Sequence, residues 1–313
     1  MVIFLPLLLA SCGAKPETVS YSNLVMGTFC NLEFAPVPGV ESDELADRVF
    51  KRMKRLEDFW SIYKEGSEVS QLNRRGRIKP SKETLSVLKK SLEVSRLSNG
   101  AFDITVAPLM SAWRKSEKTG KLPDFKTLLP LVGYQKLAIE EDGTVRFLKK
   151  GMAVDLGGIG KGAAVDEAVS LLKSAGVKSG LVNLGGNLYA FGDGPRRGGQ
   201  WNIGIQNPRG SDSIGAISVK DRGVSTSGDY RRHFEVGSRR YSHILDPKTG
   251  SLPAQPESVT VVAPDAALAD GLSTAFTVMG PKDAISLAET LPGVEALVIM
   301  PGRKSYQTKG FPQ

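Results

Sequence analysis

Asp270 and Thr274 stand four residues apart in a stretch with helical periodicity, so a carboxylate and a hydroxyl share one face. Oxygen ligands of this kind suit a hard cation such as Mg²⁺, which keeps several waters and shares itself with substrate phosphates. The same spacing also serves an ordinary helix, with the aspartate turned outward and the threonine bonded to its own turn. A second cluster, Gly157-Gly158-Ile159-Gly160-Lys161-Gly162, follows a short apolar segment and opens a helix. Closely spaced glycines let backbone N–H groups approach a phosphate, and a helix start favours negative charge. The run has neither the Rossmann spacing nor the Ser or Thr that follows the lysine of a Walker loop. Alone it reads equally as a tight turn without a ligand, although Lys161 adds a cation suited to a diphosphate.

Histidine acid–base chemistry has two bearers, His233 and His243, and for either the alternative is a satisfied structural histidine. His243 precedes Asp246-Pro247-Lys248-Thr249-Gly250, a turn that holds its neighbours in place. The hydroxyl-rich stretch Val224 to Tyr230 reads as a loop, either polar or in contact with a ligand.

These residues need a scaffold, and the pattern supplies one. Glu17 to Phe34 reads as a strand with a tight approach point at Met26-Gly27-Thr28. Ser42 caps a helix whose Leu45, Val49, Met53, Leu56 and Trp60 form one apolar stripe. A second helix runs from a Ser81 cap through Leu85, Leu88 and Leu92 to Asn99-Gly100. Lys115 to Lys126 reads as a long surface connection. Val154-Asp155-Leu156 reads as a strand feeding the glycine run, and the helix beyond it carries Val165, Val169 and Leu172. Further strands cover Leu181 to Leu184, Trp201 to Ile205 and Ser258 to Ala263, and a helix spans about Asp265 to Met279. Strands and helices alternate without a regular repeat, which predicts an α+β fold with mixed sheets, and the breaks near residues 115 and 195 read as loops.

Val2 to Ala10 is an apolar run too short to span a bilayer. With Leu9-Ala10-Ser11-Cys12-Gly13 it resembles a bacterial lipoprotein export signal, which would make Cys12 the acylated first residue. The expected layout is a signal peptide at 1–11, a lipid-anchored linker at 12–20 and a single domain at 21–313. Cys30 then has no partner, which leaves no disulfide framework and no cysteine metal site. The net charge of +8 comes from scattered basic residues and fits a solvated surface near anionic headgroups. No nucleic-acid recognition motif accompanies it.

Taken in order, eight segments resemble the ApbE family of FAD:protein FMN transferases. They are Val25 to Phe29, Tyr63 with Glu68 to Asn73, Gly100 to Leu109, Asp155 to Gly162, Leu184 to Gly186, Ser225 to Tyr230, Ser242 to Gly250, and Ala269 to Ala275. The resemblance implies two intimately associated lobes of packed helices and sheets with FAD in the cleft between them. It implies that Met26, Tyr63, Ala101, Phe102 and Asp103 contact FAD, with Asp155 and Lys161 near the ribose and pyrophosphate. Gly158, by its carbonyl, would join Asp270 and Thr274 around Mg²⁺. Turnover would depend on Asp270 and on His243 as the acid–base group. The implied reaction moves FMN from FAD to a threonine hydroxyl of an acceptor flavoprotein, a subunit of a membrane redox complex, and releases AMP. The lipoprotein would face the periplasm. Attack by water would make the same site an FAD pyrophosphatase, and a non-enzymatic flavin-binding lipoprotein is a third reading. Gly158 stands where the family often has alanine, and Ala163 where an aromatic is frequent.

Overall fold

Residues 19–34 fold as a hairpin and not as one strand. Met26 (φ 50°) and Gly27 (φ 72°) both adopt positive φ, which is the backbone that a two-residue hairpin turn requires. Strand β1 (Val19–Val25) therefore pairs antiparallel with β2 (Thr28–Phe34). The computed structural model describes residues 17–195, 198–210, 212–228, 233–236, 239–242, 244–251 and 256–312. The chain continues through α1 (Ser42–Trp60), α2 (Glu68–Arg75), β3 (Arg77–Ile78), α3 (Lys82–Leu97) and α4 (Ala107–Thr119). Next come β4 (Leu137–Ile139), β5 (Val145–Phe147), α5 (Gly160–Ser174), β6 (Gly180–Leu184), β7 (Asn187–Phe191), β8 (Trp201–Gln206) and β9 (Ser213–Val219). β10 (Arg222–Gly228), β11 (His233–Val236), β12 (Arg239–Ser242), β13 (Ser258–Ala263), α6 (Ala266–Met279), α7 (Pro281–Ala288), β14 (Glu295–Ile299) and β15 (Ser305–Gln307) complete it.

Eight strands form one sheet in the order β1-β2-β6-β7-β10-β13-β14-β15, with every neighbouring pair antiparallel. The fold is α+β. One face of the sheet carries α5 and α6, and the other is covered by the β8–β9 ribbon over Leu188, Val224, Val262 and Ile299. All six residues of β13 are therefore buried, as in a strand covered on both sides. A smaller core of Leu109, Trp113, Val132 and Leu245 lies under α4. Among the described residues no helix is long and apolar enough to cross a membrane.

Four further expectations change. The α1 cap position is Glu41 and makes no side-chain cap bond, so Ser42 begins the helix. Lys115 to Thr119 is the last part of α4, because Trp113 and Ser116 are buried and Gly120 (φ 67°) ends the helix in the left-handed region. Val154 to Leu156 joins no sheet: the Asn73 side-chain amide accepts from Val154 N (2.7 Å) and donates to Val154 O (2.9 Å), in the place of a neighbouring strand. Ser225 to Ser227 is not a loop but the middle of β10. Its hydroxyls can stay inside because they find partners in Asn187, Thr260 and Ser273.

The start of α6 is wedged between α5 and β10. A Cβ on Gly162 would stand 2.2 Å from the Ala266 carbonyl oxygen, and one on Gly223 would stand 2.5 Å from Ala266 N. Asp166 accepts from Ala266 N (2.8 Å) and Ala267 N (2.9 Å), while Asp265 caps Leu268 N. These bonds satisfy the free N–H groups of the first turn. Burial pushes the Asp166 carboxyl from 3.8 up to about 7, against the pull of those N–H groups and Lys90. Between these values the folded chain holds a proton that the unfolded chain has released. The stability from this group is thus complete below about pH 4 and lost as pH rises through about 7. Urea unfolding at pH 4.5 and pH 8 should show the wild type losing on the order of 3 kcal/mol more than Asp166→Asn across that interval. Equal losses in the two proteins would remove the assignment.

Candidate active site

The glycine run does not make a nest of N–H groups. Gly157 N donates to Asp155 Oδ1, Ile159 N and Gly160 N to the Leu156 carbonyl, and Gly162 N to Asp270 Oδ2 at 2.9 Å. Gly160 and Gly162 already belong to α5. What the bend presents instead is a carbonyl. Gly158 O lies 3.5 Å from Thr274 Oγ1, and Thr274 Oγ1 lies 3.3 Å from its own-turn carbonyl at Asp270. The buried Asp270 carboxylate, four residues before Thr274 on α6, accepts from Gly162 N one turn after the bend. Lys161 reaches back over the bend, with Nζ 3.3 Å from Gly157 O. Phe102 completes this corner: a Cβ on Gly158 would stand 3.2 Å from both the Phe102 ring and Thr274 Oγ1. Glycine keeps that space open.

Asp155 leads into the bend, and its Oδ2 receives Arg114 Nη2 at 3.3 Å. The same guanidinium lies over the Tyr63 ring, 5.6 Å from its centroid. Arg114 brings these two residues together and is absent from every motif read in the sequence. A long-range pair of this kind leaves no local pattern. Asn73, the last residue of the Glu68 to Asn73 motif, fixes the segment before Asp155.

Ala101 and Phe102 are buried next to the bend. Asp103 is buried too, but its carboxylate is taken by its own surroundings: Thr105 N (2.8 Å) and Thr105 Oγ1 (2.6 Å) donate to Oδ1, and Tyr134 N (2.7 Å) to Oδ2. Burial raises its pKa above the usual carboxylate value. Its structural work is to cap the short turn Ile104–Val106 and fix the segment that carries Phe102. Met26 sits at the β1–β2 tip with its N–H donated to Glu57 Oε2 at 2.8 Å. No described contact joins it to the bend.

His243 lies outside the described residues, as do Asp229, Tyr230 and Cys12. The turn after His243 is firmly placed: Asp246 O accepts from Gly250 N (2.7 Å), and Gly250 O accepts from Trp113 Nε1 (3.2 Å). Lys248 Cε comes 3.9 Å from where a Gly100 Cβ would stand, so the turn lies against the segment leading to Ala101 and Phe102. A groove of about 1190 Å³ between α3 and α5 includes none of the site residues read from the sequence. Within it Lys90 pairs with Asp265 and Glu93.

The donor set can be tested against Mg²⁺. Among the described residues no group of three His, Cys, Asp or Glu side chains could hold a metal. A single carboxylate with a hydroxyl and a carbonyl is nonetheless what a Mg²⁺ shared with phosphates and waters takes from a protein. Neighbouring ligands on an octahedron with bonds near 2.1 Å lie about 3 Å apart, and the 3.5 Å between Gly158 O and Thr274 Oγ1 is close to that separation. The residues fit the ion.

The sequence model of the ApbE family matches residues 26–298. The chain is 32% identical to the FAD:protein FMN transferase of Vibrio cholerae, over 97% of this chain and 95% of that protein. The Escherichia coli K12 protein of the same name is 28% identical over 98% and 93%. A crystal structure of the ApbE protein from Thermotoga maritima superposes with a TM-score of 0.85 at 31% identity, covering 95% of this chain and all of that one. The flavin transferase ApbE from Vibrio cholerae gives 0.82 at 30% identity, over 94% and 98%. The chain belongs to the ApbE family.

Proposed function

We propose that this protein is a Mg²⁺-dependent FAD:protein FMN transferase that moves FMN to a threonine hydroxyl of an acceptor flavoprotein and releases AMP. The observation that carries the reading is the convergence of Gly158 O, Thr274 Oγ1 and the buried Asp270 carboxylate beside Lys161. FAD is read as lying with its diphosphate against this corner, near Phe102 and Ala101, with Asp155 and Tyr63 along its length and Met26 at the hairpin tip. Gly158, Asp270 and Thr274 would hold Mg²⁺, which when bound would neutralise charge on the phosphate oxygens. Lys161 offsets the remaining negative charge. The acceptor hydroxyl attacks the phosphorus of the FMN half, the P–O bond to the AMP half breaks, and AMP leaves with the bridging oxygen. His243 takes the hydroxyl proton. The rest of the protein's contribution is alignment, which suits a site with few reactive side chains.

The apolar run before Cys12 supports a lipid anchor on that residue and a place in the cell envelope facing the periplasm, with a signal at 1–11, a linker at 12–20 and one catalytic domain at 21–313. The acceptor is then a flavin-carrying subunit of a membrane redox complex on the same side.

Incubation with FAD, Mg²⁺ and such an acceptor should add the mass of FMN less water to the acceptor and release one AMP per label. AMP and free FMN without a labelled acceptor would make the protein a pyrophosphatase, and FAD left intact would overturn both. His243→Ala should keep FAD affinity within about twofold and slow transfer by about 10²–10⁴. Loss of FAD binding with normal turnover of the bound fraction would make His243 a ligand contact and not the base.

A further inference from the structure

Tyr63 is 78% exposed, the most open of the large apolar side chains among the described residues. It follows α1 in the segment Ser61-Ile62-Tyr63, and one described interaction orients its ring: the Arg114 guanidinium 5.6 Å from the centroid. Arg114 projects from α4, a helix fixed on its other side by buried Leu109 and Trp113. Its second contact is the Asp155 carboxylate, and Asp155 in turn receives Gly157 N at the start of the bend. Three separate pieces of chain, the loop after α1, helix α4 and the approach to the glycine bend, thus meet on one side chain.

The arrangement does little for stability, because a single partly exposed ion pair at 3.3 Å and an exposed cation–π contact are each weak. The side chains of Arg114 and Asp155 are 35% and 17% exposed. Geometrically it does something else. An aromatic ring covered by a cation on one face and open to solvent on the other is a stacking surface for a planar heteroaromatic ring. Here that surface is tied through Asp155 to the bend whose Gly158 carbonyl faces Thr274.

We propose that Arg114 is a positioning residue for the dinucleotide: it holds Tyr63 as a platform for one ring system of FAD and fixes Asp155, so that platform and diphosphate site keep one spacing. The inference rests on the functional reading above and adds a residue that acts through Tyr63 and Asp155. Flavin and adenine offer the same flat π surface, and separate FMN and AMP probes distinguish them.

The test is FAD binding to the full-length protein in Mg²⁺ by calorimetry, with steady-state FMN transfer alongside. Arg114→Met should raise the FAD Kd about tenfold while kcat at saturating FAD changes by about twofold or less. Arg114→Lys should recover part of the loss, because charge without the planar guanidinium orients the ring less well. Tyr63→Leu should weaken FAD to a similar degree, and the double variant should be little worse than Tyr63→Leu alone. One of the two probes, FMN or AMP, should lose affinity in Arg114→Met, and that one names the stacked ring. An unchanged FAD Kd in Arg114→Met, additive single effects in the double variant, or no loss with either probe would overturn the proposal while leaving the transferase reading intact. Wild-type protein that fails to bind FAD at all would overturn both.

Discussion

Asp270→Ala is expected to lower both FMN transfer and AMP release by about 10³-fold or more, the scale on which loss of a principal electrostatic stabiliser is felt. The reason is local. Asp270 shares α6 with Thr274, whose Oγ1 meets Gly158 O, and its Oδ2 accepts from Gly162 N. Alanine removes both the charge and that acceptor, and leaving the buried Gly162 N–H unpaired adds a cost of about 1–3 kcal/mol in stability. Asp270→Asn separates the two effects. Its amide oxygen can still accept from Gly162 N, so it should fold like the wild type and yet need far more Mg²⁺. Quantifying AMP against MgCl₂ for the three proteins gives the answer; Mg²⁺-dependent AMP release kept by Asp270→Ala would end the assignment of this residue.

Gly162→Ala is expected to damage fold and site together through a single methyl group. The added carbon would stand 2.2 Å from the Ala266 oxygen, 2.6 Å from its carbonyl carbon and 2.8 Å from Ala267 Cα. All three are backbone atoms, so α5 and α6 must move apart, at about 1–3 kcal/mol or more. Separation of these helices also pulls Gly158 away from Thr274 and Asp166 away from the N–H groups it caps. Thermal melts should show a clear drop for this variant and almost none for Gly215→Ala, where nothing lies within 4 Å of the new carbon. A Gly162→Ala protein as stable and as active as the wild type would show that the close approach of α6 to α5 is not required.

What could be read from the sequence follows the range of the interactions. The stripes of α1 and α3, the Ser81 cap that accepts from Thr84 N, and the turn from Asp246 to Gly250 are local patterns, and each appears where the residues place it. The four-residue spacing of Asp270 and Thr274 does put both on α6. The glycine run was legible as a turn entering a helix, but its chemistry was not: which of its N–H groups are free depends on Asp155 and on Asp270, 108 residues further along. Val154 to Leu156 has the composition of a strand, yet Asn73 occupies its backbone groups from a helix far earlier in the chain. Met26 was hidden for another reason, since a methionine with positive φ leaves no turn signature of the Asn-Gly kind. Arg114 and Asp166 act only through partners distant in sequence, and nothing in their own neighbourhood distinguishes them from surface charges.

The most direct test of the proposed metal site is a crystal structure of this protein with FAD and Mn²⁺ in place of Mg²⁺, using the anomalous signal to locate the ion. A peak bounded by Gly158 O, the Asp270 carboxylate and Thr274 Oγ1, in contact with the FAD diphosphate, is the expected result. A peak elsewhere, or a diphosphate lying away from those three oxygens, would contradict it.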